Sequence, residues 1–365
     1  MSLVVVYEDG KPLSKPHSSL AEIRELGGGR FIHWGEHLIF STSDNSDPTL
    51  CGRKFTYSRA WWHYRRHYGQ WPSTGATRGL RFEPANFQIV DSRADAIERD
   101  VEYSLRVVDA YLDRLPNGRE LLSGASAVEI GPGHNLGTAL CLAALGSRVV
   151  VVDRFPPAWD DVYHPRLYNA LHDRLVRERP TWDPTPIRAV VENRDHQPVI
   201  ACITTAAESI PSIADGSVDL TFSNAVLEHS FDLESTITEM ARITRPGGWA
   251  VHQVDHRDHR DFSRPLEYLM VPDDRFRDIF DELHGECGNR LRRHHVEALF
   301  QGAGFRIERV VVSRVADRRY AKRVLKRLRR ARGSSYRDEG LREIEDLSCC
   351  YVAQFSAKGP GWNRK

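Results

Sequence analysis

From Ser92 onward, short apolar runs alternate with amphipathic stretches, and this alternation limits the fold more than any single motif does. SAVEI (126–130), RVVVVD (148–153), PVIACIT (198–204), SVDLTFSN (217–224), GWAVHQV (248–254), FRIERVVVS (305–313) and CCYVAQFSA (349–357) read as strands. RVVVVD has the pattern of a parallel strand covered on both faces. Between the strands, LGTALCLAALG (136–146), HPRLYNALHDRLVRER (164–179), LESTITEMARIT (233–244) and HHVEALFQGAG (294–304) read as helices. Ahead of the first strand, Ile97, Val101, Leu105, Val108, Leu112 and Leu115 recur every three or four residues. That spacing predicts an amphipathic helix entered through Asp91 or Ser92. Alternating elements imply an open parallel sheet with helices on both faces. Ligands of such sheets sit at the carboxyl ends of the strands, where the winding direction switches.

The first strand runs straight into a glycine turn at such an end. In VEIGPGHNLG (128–137), Gly131 and Gly133 take the first two glycine positions of a G-x-G-x-x-G fingerprint. The third position holds Leu136, and the glycine arrives one residue late, at Gly137. Glycines let the backbone approach a ligand, and the helix that follows receives an anionic group at its N-terminus. Asp153 closes the next strand, about twenty residues on, where a carboxylate accepts hydrogen bonds from both ribose hydroxyls. That spacing suits NAD and S-adenosylmethionine equally.

Three features separate the two cofactors. VEIGPGHNLG, DGSVDLTFSNAVLEHS (215–230) and EMARITRPGGWAVHQVD (239–255) agree in order and spacing across residues 120–260 with the class I S-adenosylmethionine-dependent methyltransferases, which this sequence resembles. Residues 304–356 are compatible with the reversed final hairpin of that family. A dehydrogenase accounts for the glycine turn and Asp153 but not for RPGG or LEHS. The resemblance implies a doubly wound, mostly parallel seven-stranded α/β sheet with an irregular N-terminal extension. It implies S-adenosyl-L-methionine as cofactor, with Glu129 near its ammonium group and Asp153 on its ribose. Gly131, Gly133, Asn135 and Gly137 shape the turn around its methionine part, and Asn224 lies beside it. The family commonly places an acidic residue after strand three, near the adenine amino group. Here that position holds Ala206, so the adenine contact passes to the backbone around Ala206 and Ala207, or to Glu208.

Methyl transfer to an alcohol is an in-line displacement helped by a general base, which should project from a strand end. Two clusters qualify: NAVLEHS, with Glu228 and His229, and HQVDHRDHRDF, with Asp255, His256, Asp258 and His259. His259 beside Asp258 is the preferred base, then His256, then His229. The interspersed arginines oppose a cation, so no metal is expected in the second cluster.

Lys plus Arg (51) nearly balance Asp plus Glu (50), so no global field draws the chain to nucleic acid or membrane. The six cysteines include no C-x-x-C pair, which fits a reduced cytoplasmic protein; no run is long enough to span a bilayer. The one strong charge run is RRYAKRVLKRLRRAR (318–332 in outline), expected as a surface helix. It serves as a solvated face, or docks an acidic glycan intermediate or a membrane surface. Nucleic acid is not expected, since no recognised binding module is present. The aromatic-basic stretch AWWHYRRHYGQW (60–71) fills a core or stacks on sugars. The expected organisation is an N-terminal extension (1–91) covering the substrate cleft, a methyltransferase domain (92–358) and a short tail (359–365). The expected reaction is O-methylation of a sugar, a polysaccharide precursor or a similar small hydroxylated molecule. An NAD-dependent oxidoreductase and a non-enzymatic S-adenosylmethionine-binding scaffold are the competing readings.

Overall fold

The structure is a computed structural model; it describes residues 4–16, 18, 20–34, 37–58, 66–67, 90–197, 199–259, 262–279 and 288–356. The chain divides into two compact units, one of residues 88–256, 291–315 and 346–365, the other of residues 1–87, 257–290 and 316–345.

The first unit is built on a seven-stranded sheet. In chain order its strands are β1 (Ser126–Ile130), β2 (Arg148–Asp153), β3 (Ala201–Thr204), β4 (Val218–Asn224), β5 (Thr244–Asp255), β6 (Phe305–Val315) and β7 (Asp346–Phe355). Their spatial order is β6-β7-β5-β4-β1-β2-β3. The five strands from β3 to β5 pair in parallel, whereas β7 runs antiparallel to both β5 and β6. The order reverses between β1 and β4, so the carboxyl ends of these two strands flank the switch point where such sheets bind ligands.

Both faces are covered. Helices α1 (Ala94–Leu112), α2 (Gly137–Ala144), α3 (Tyr163–Glu178) and α4 (Thr185–Asn193) supply one core. Helices α5 (Leu233–Ile243) and α6 (Arg293–Gly302) supply the other. In α1 the predicted stripe is the buried one, through Ile97, Val101, Leu105 and Val108, and Tyr111 extends it to meet Phe222 of β4 at 5.3 Å between ring centroids. Asp91 accepts the amide hydrogen of Arg93 at 3.0 Å, which fixes the entry of the chain into the helix. Helix α4, with Ile187 and Val190 buried, has too short an apolar pattern to stand out in the sequence.

Strand β5 begins earlier than its apolar run. Val218 pairs with Thr244 and Leu220 with Trp249, so the segment Arg245–Gly248 bulges out of the ladder. Gly248 is required there, because a Cβ would meet the Thr244 methyl at 2.7 Å and the Arg245 carbonyl at 2.9 Å. Asp219 holds the bulge by pairing with Arg245 while accepting the Ser126 amide hydrogen of β1 at 2.7 Å.

The other unit holds two small three-stranded sheets. Val5–Glu8 pairs with Lys11–Pro12 and Phe55–Ser58; Arg30–Trp34 pairs with Lys15–Pro16 and His37–Phe40. Val4, Val6, Leu13 and Phe31 form their common core. These short strands flank a polar loop, which Arg53 pins through Glu8 and Asp44. The stretch 60–71 lies outside the described residues except for Arg66 and His67, and the tail 359–365 lies outside them altogether. The predicted basic helix, α7 (Arg318–Leu328), belongs to this unit.

Candidate active site

The turn after β1 has the backbone its glycines permit. Gly131 and Gly133 adopt φ of +65° and +76°. The two do different things. A Cβ on Gly131 would sit 2.6 Å from a Val226 methyl, so this glycine permits packing of the turn against the β4 end. Nothing lies within 4 Å of a Cβ on Gly133, so this glycine faces open space, as a backbone poised for a ligand must. Val226 is put in place by Ala225, a non-glycine residue at φ +56°, where strain of about 1–3 kcal/mol is tolerated only under constraint. Gly137 starts α2 and is crowded by Ser104 of α1 and by Asn135. Asn135 accepts the Gly137 amide hydrogen at 3.0 Å and donates to the Tyr163 hydroxyl at 3.2 Å, which makes it the clasp of the turn.

Two carboxylates stand at the neighbouring strand ends. Glu129 is buried on β1, and its Oε2 has no hydrogen-bond partner. Burial, and then the charge of Asp153, push its carboxyl up to about 8. Asp153 ends β2; burial raises its pKa too, although one oxygen accepts the Phe155 amide hydrogen at 2.7 Å. An orphaned buried carboxylate, an acid at the second strand end and an open left-handed glycine between them fit S-adenosyl-L-methionine. Glu129 would pair with the ammonium group, the turn would admit the methionine part, and Asp153 would take the ribose. Ala206 and Ala207 follow β3 in a half-buried turn. Glu208 is held by Arg154 at 3.3 Å and by the Ser230 hydroxyl at 3.4 Å.

A cavity of about 530 Å³ opens beside the turn. Its walls are Arg99, Tyr103 and Arg106 of α1 and Gly133, His134 and Asn135 of the turn, with Asp100 and Glu102 completing the helix side. Asp100 accepts the Tyr163 hydroxyl at 2.7 Å and lies 3.6 Å from His134 Nε2. Burial opposes ionisation of Asp100, but the hydrogen bonds of His134 and Tyr163 outweigh it and hold its pKa low. Asn224, at the end of β4, donates to the Tyr103 hydroxyl. Tyr103, Asp100 and His134 were not singled out in the sequence. The signal for Tyr103 is the polar stripe Arg99, Tyr103, Arg106 at helical spacing, beside the apolar stripe that the core explains.

The four strand-end candidates divide between the two units. His229 lies half-buried in a short 3-10 turn (Leu227–His229) after β4, in the same unit as the glycine turn and next to the buried Glu228. His256 is buried at the end of β5, with Nδ1 2.8 Å from the Leu291 carbonyl and Nε2 2.9 Å from the Tyr351 hydroxyl. Burial, then the nearby Arg292, lower its pKa to about 3, so it stays neutral and its two nitrogens are spent on holding the chain. Asp258 and His259, only two and three residues further on, belong to the other unit. There His259 is buried with its ring 5.4 Å from Phe262, and the Asp258 amide donates to the Pro265 carbonyl at 2.9 Å.

The strand order with its antiparallel β7 is that of the class I S-adenosylmethionine-dependent methyltransferase fold, and the glycine turn and strand-end acids lie at its switch point. A dinucleotide-binding sheet would continue in parallel past β5. The family model described as a methyltransferase domain matches residues 182–252, from just ahead of α4 into β5. No curated protein matches the sequence. Among solved structures, the chain is similar to geranyl diphosphate C-methyltransferase from Streptomyces coelicolor A3(2) in complex with Mg2+, geranyl diphosphate and S-adenosyl-L-homocysteine, at 15% identity. That match covers 71% of this chain and 82% of that chain, with a TM-score of 0.40. It is also similar to a phosphoethanolamine N-methyltransferase from Haemonchus contortus, at 14% identity, covering 64% of this chain and 50% of that chain, with a TM-score of 0.36. Among the described residues no helix is long and apolar enough to cross a membrane.

Proposed function

We propose that this methyltransferase methylates a hydroxyl of a sugar or a similar small polyhydroxylated acceptor. The observation that carries this reading is the lining of the cavity beside the glycine turn. Arg99, Asp100, Glu102, Arg106 and Asn135 offer polar groups, and Tyr103 and His134 add aromatic rings that carry polar atoms of their own. Such a wall matches an acceptor that carries hydroxyls around its perimeter and apolar faces between them. The two arginines also suit an acceptor with an acidic substituent.

When bound, S-adenosylmethionine supplies an electrophilic methyl on a sulfonium. The protein's part is to place the acceptor oxygen in line and remove its proton. We place that proton on His134, which lines the cavity and has the Asp100 carboxylate 3.6 Å away to orient and stabilise the imidazolium that forms. His229, and His259 supported by Asp258, are the alternatives from the strand-end loops. The test is transfer of radiolabelled methyl to a panel of monosaccharides and nucleotide sugars. Alanine variants of His134, His229 and His259 should be run alongside, each with a calorimetric titration of S-adenosylhomocysteine. The base is the residue whose loss lowers kcat by about 10²–10⁴ with cofactor affinity retained. Transfer only to amines or carbon acids would refute the hydroxyl acceptor. Tighter binding of NADH than of S-adenosylhomocysteine would return the chain to the oxidoreductases, and cofactor binding without turnover on any acceptor would favour a scaffold.

A further inference from the structure

We propose that α7 and the residues that follow it dock this protein on an anionic lipid bilayer. Between Arg318 and Arg332 the chain carries nine cations and no acid, whereas the whole chain has a net charge of only +1. All nine are exposed. Among the described residues, Arg327 alone of the nine has a carboxylate partner, Glu267, at 2.8 Å.

The arrangement is one-sided. Ala321, Val324 and Leu328 form the buried stripe of α7. The Tyr320 hydroxyl is also turned inward, accepting the Leu266 amide hydrogen at 3.1 Å. At about 100° per residue, Arg318, Arg319, Lys322, Arg323 and Lys326 fall within an arc of about 140° on the opposite side, over a length of about 12 Å. Arg329 and Arg330 extend the same direction beyond the last turn.

This geometry selects among anions. The cations diverge from a convex helix, so they do not converge on one small phosphate or carboxylate. The face carries no aromatic side chain to stack on bases and no Asn or Gln to read them. The apolar stripe is spent within the protein's own unit, so the helix does not bury itself in acyl chains as an amphipathic anchor does. What remains is a broad, exposed face of solvated cations, whose spread matches the many separate phosphates and carboxylates of a lipid surface. Each cation adds to binding at an anionic leaflet, and the rest of the chain, with a net charge of −8, confines the attraction to this face and so orients the molecule.

The test is cosedimentation of the full chain with two kinds of vesicle, phosphatidylcholine alone and phosphatidylcholine with roughly a third phosphatidylserine, a composition chosen to give a strongly negative surface. Binding should require phosphatidylserine and fall steeply as salt rises. The variant Arg319→Gln, Lys322→Gln, Arg323→Gln, Lys326→Gln spares Arg327 and should bind weaker by on the order of 10²–10³-fold. Its melting temperature and S-adenosylhomocysteine affinity should match the parent, which shows that it is folded. The pair Arg319→Lys, Arg323→Lys should retain binding, because a diffuse lipid charge does not need bidentate donors. Absence of binding to the anionic vesicles at low salt, equal binding by the Gln variant, or equal binding to neutral vesicles would overturn the proposal. So would tighter binding to a duplex oligonucleotide than to the vesicles at physiological salt.

Discussion

The Asn224 side-chain amide donates to the hydroxyl of Tyr103, joining the end of β4 to the helix that precedes the sheet. Burial, with the charges of Glu129 and Glu228 nearby, raises the phenol's pKa, although the Asn224 contact works against this. The hydroxyl therefore keeps its proton at neutral pH and has it to give to a ligand. Tyr103→Phe should raise the acceptor KM by about tenfold, the value of one hydrogen bond of roughly 1.4 kcal/mol, and change S-adenosylhomocysteine affinity little. An unchanged KM in steady-state kinetics would remove Tyr103 from acceptor binding.

The two glycines of the turn should fail in different ways. Gly131→Ala drives a Cβ to within 2.6 Å of Val226 in a left-handed backbone, so it should lower the melting temperature markedly. Gly133→Ala meets no atom and carries only the left-handed penalty, about 1–2 kcal/mol of stability. Its methyl nevertheless enters the space assigned to the cofactor, and calorimetry should find a larger loss of S-adenosylhomocysteine affinity than of stability. Equal behaviour of the two variants in melting and titration would count against that division of labour.

Asp153→Ala should weaken S-adenosylhomocysteine binding by about tenfold or more, since a charge-assisted hydrogen bond is worth roughly 1.5–3 kcal/mol. A folded variant with full affinity would show that the β2 end does not hold the ribose.

Glu129 couples cofactor binding and stability to pH. Its carboxyl titrates near 8 in the folded chain and near its ordinary 4.5 when unfolded. Between these values the folded state holds a proton that the unfolded state has lost, so this group's contribution to stability declines as pH rises from 4.5 through 8. A ligand ammonium favours the ionised form, so S-adenosylhomocysteine affinity should increase from pH 6.5 to 8.5. Glu129→Gln should flatten both trends. Titrations at three pH values in parent and variant decide it, and an unaltered pH slope in the variant would exclude Glu129 as the partner of the ammonium group.

Among the described residues, buried imidazoles shape the acid limit. Burial lowers His252 to about 3 and His196 to about 4, and burial with Arg292 lowers His256 to about 3. Unfolded histidine takes a proton near 6.5, so the stability these groups contribute is full above 6.5 and is lost progressively as pH falls toward 3. His252 is held at β5 by the Ser223 hydroxyl, 2.7 Å away, and His252→Gln should reduce the steepness of acid unfolding followed by circular dichroism. An identical acid limb in the variant would show that His252 does not titrate on unfolding.

The strands and the core helices were legible because their information is local. SAVEI and RVVVVD correspond residue for residue to β1 and β2, since an apolar run bounded by a turn needs no partner to be recognised. The glycine turn was legible too, because a left-handed backbone has few residues that can adopt it. Other features depend on residues distant in the chain. The Arg245–Gly248 bulge exists because Asp219 grips Arg245 across the ladder, and Gly131 is obligatory because Val226 arrives from another strand end. HQVDHRDHRDF reads as one loop, yet the fold keeps His256 with the sheet, locked between Leu291 and Tyr351, and assigns Asp258 and His259 to the other unit. The wall of Tyr103, Asp100 and His134 forms only when α1 packs beside a turn that lies well downstream of it in the chain. Periodicity records which side of an element is apolar, and it carries no record of which polar side a distant segment will face; that is decided by packing across the sheet.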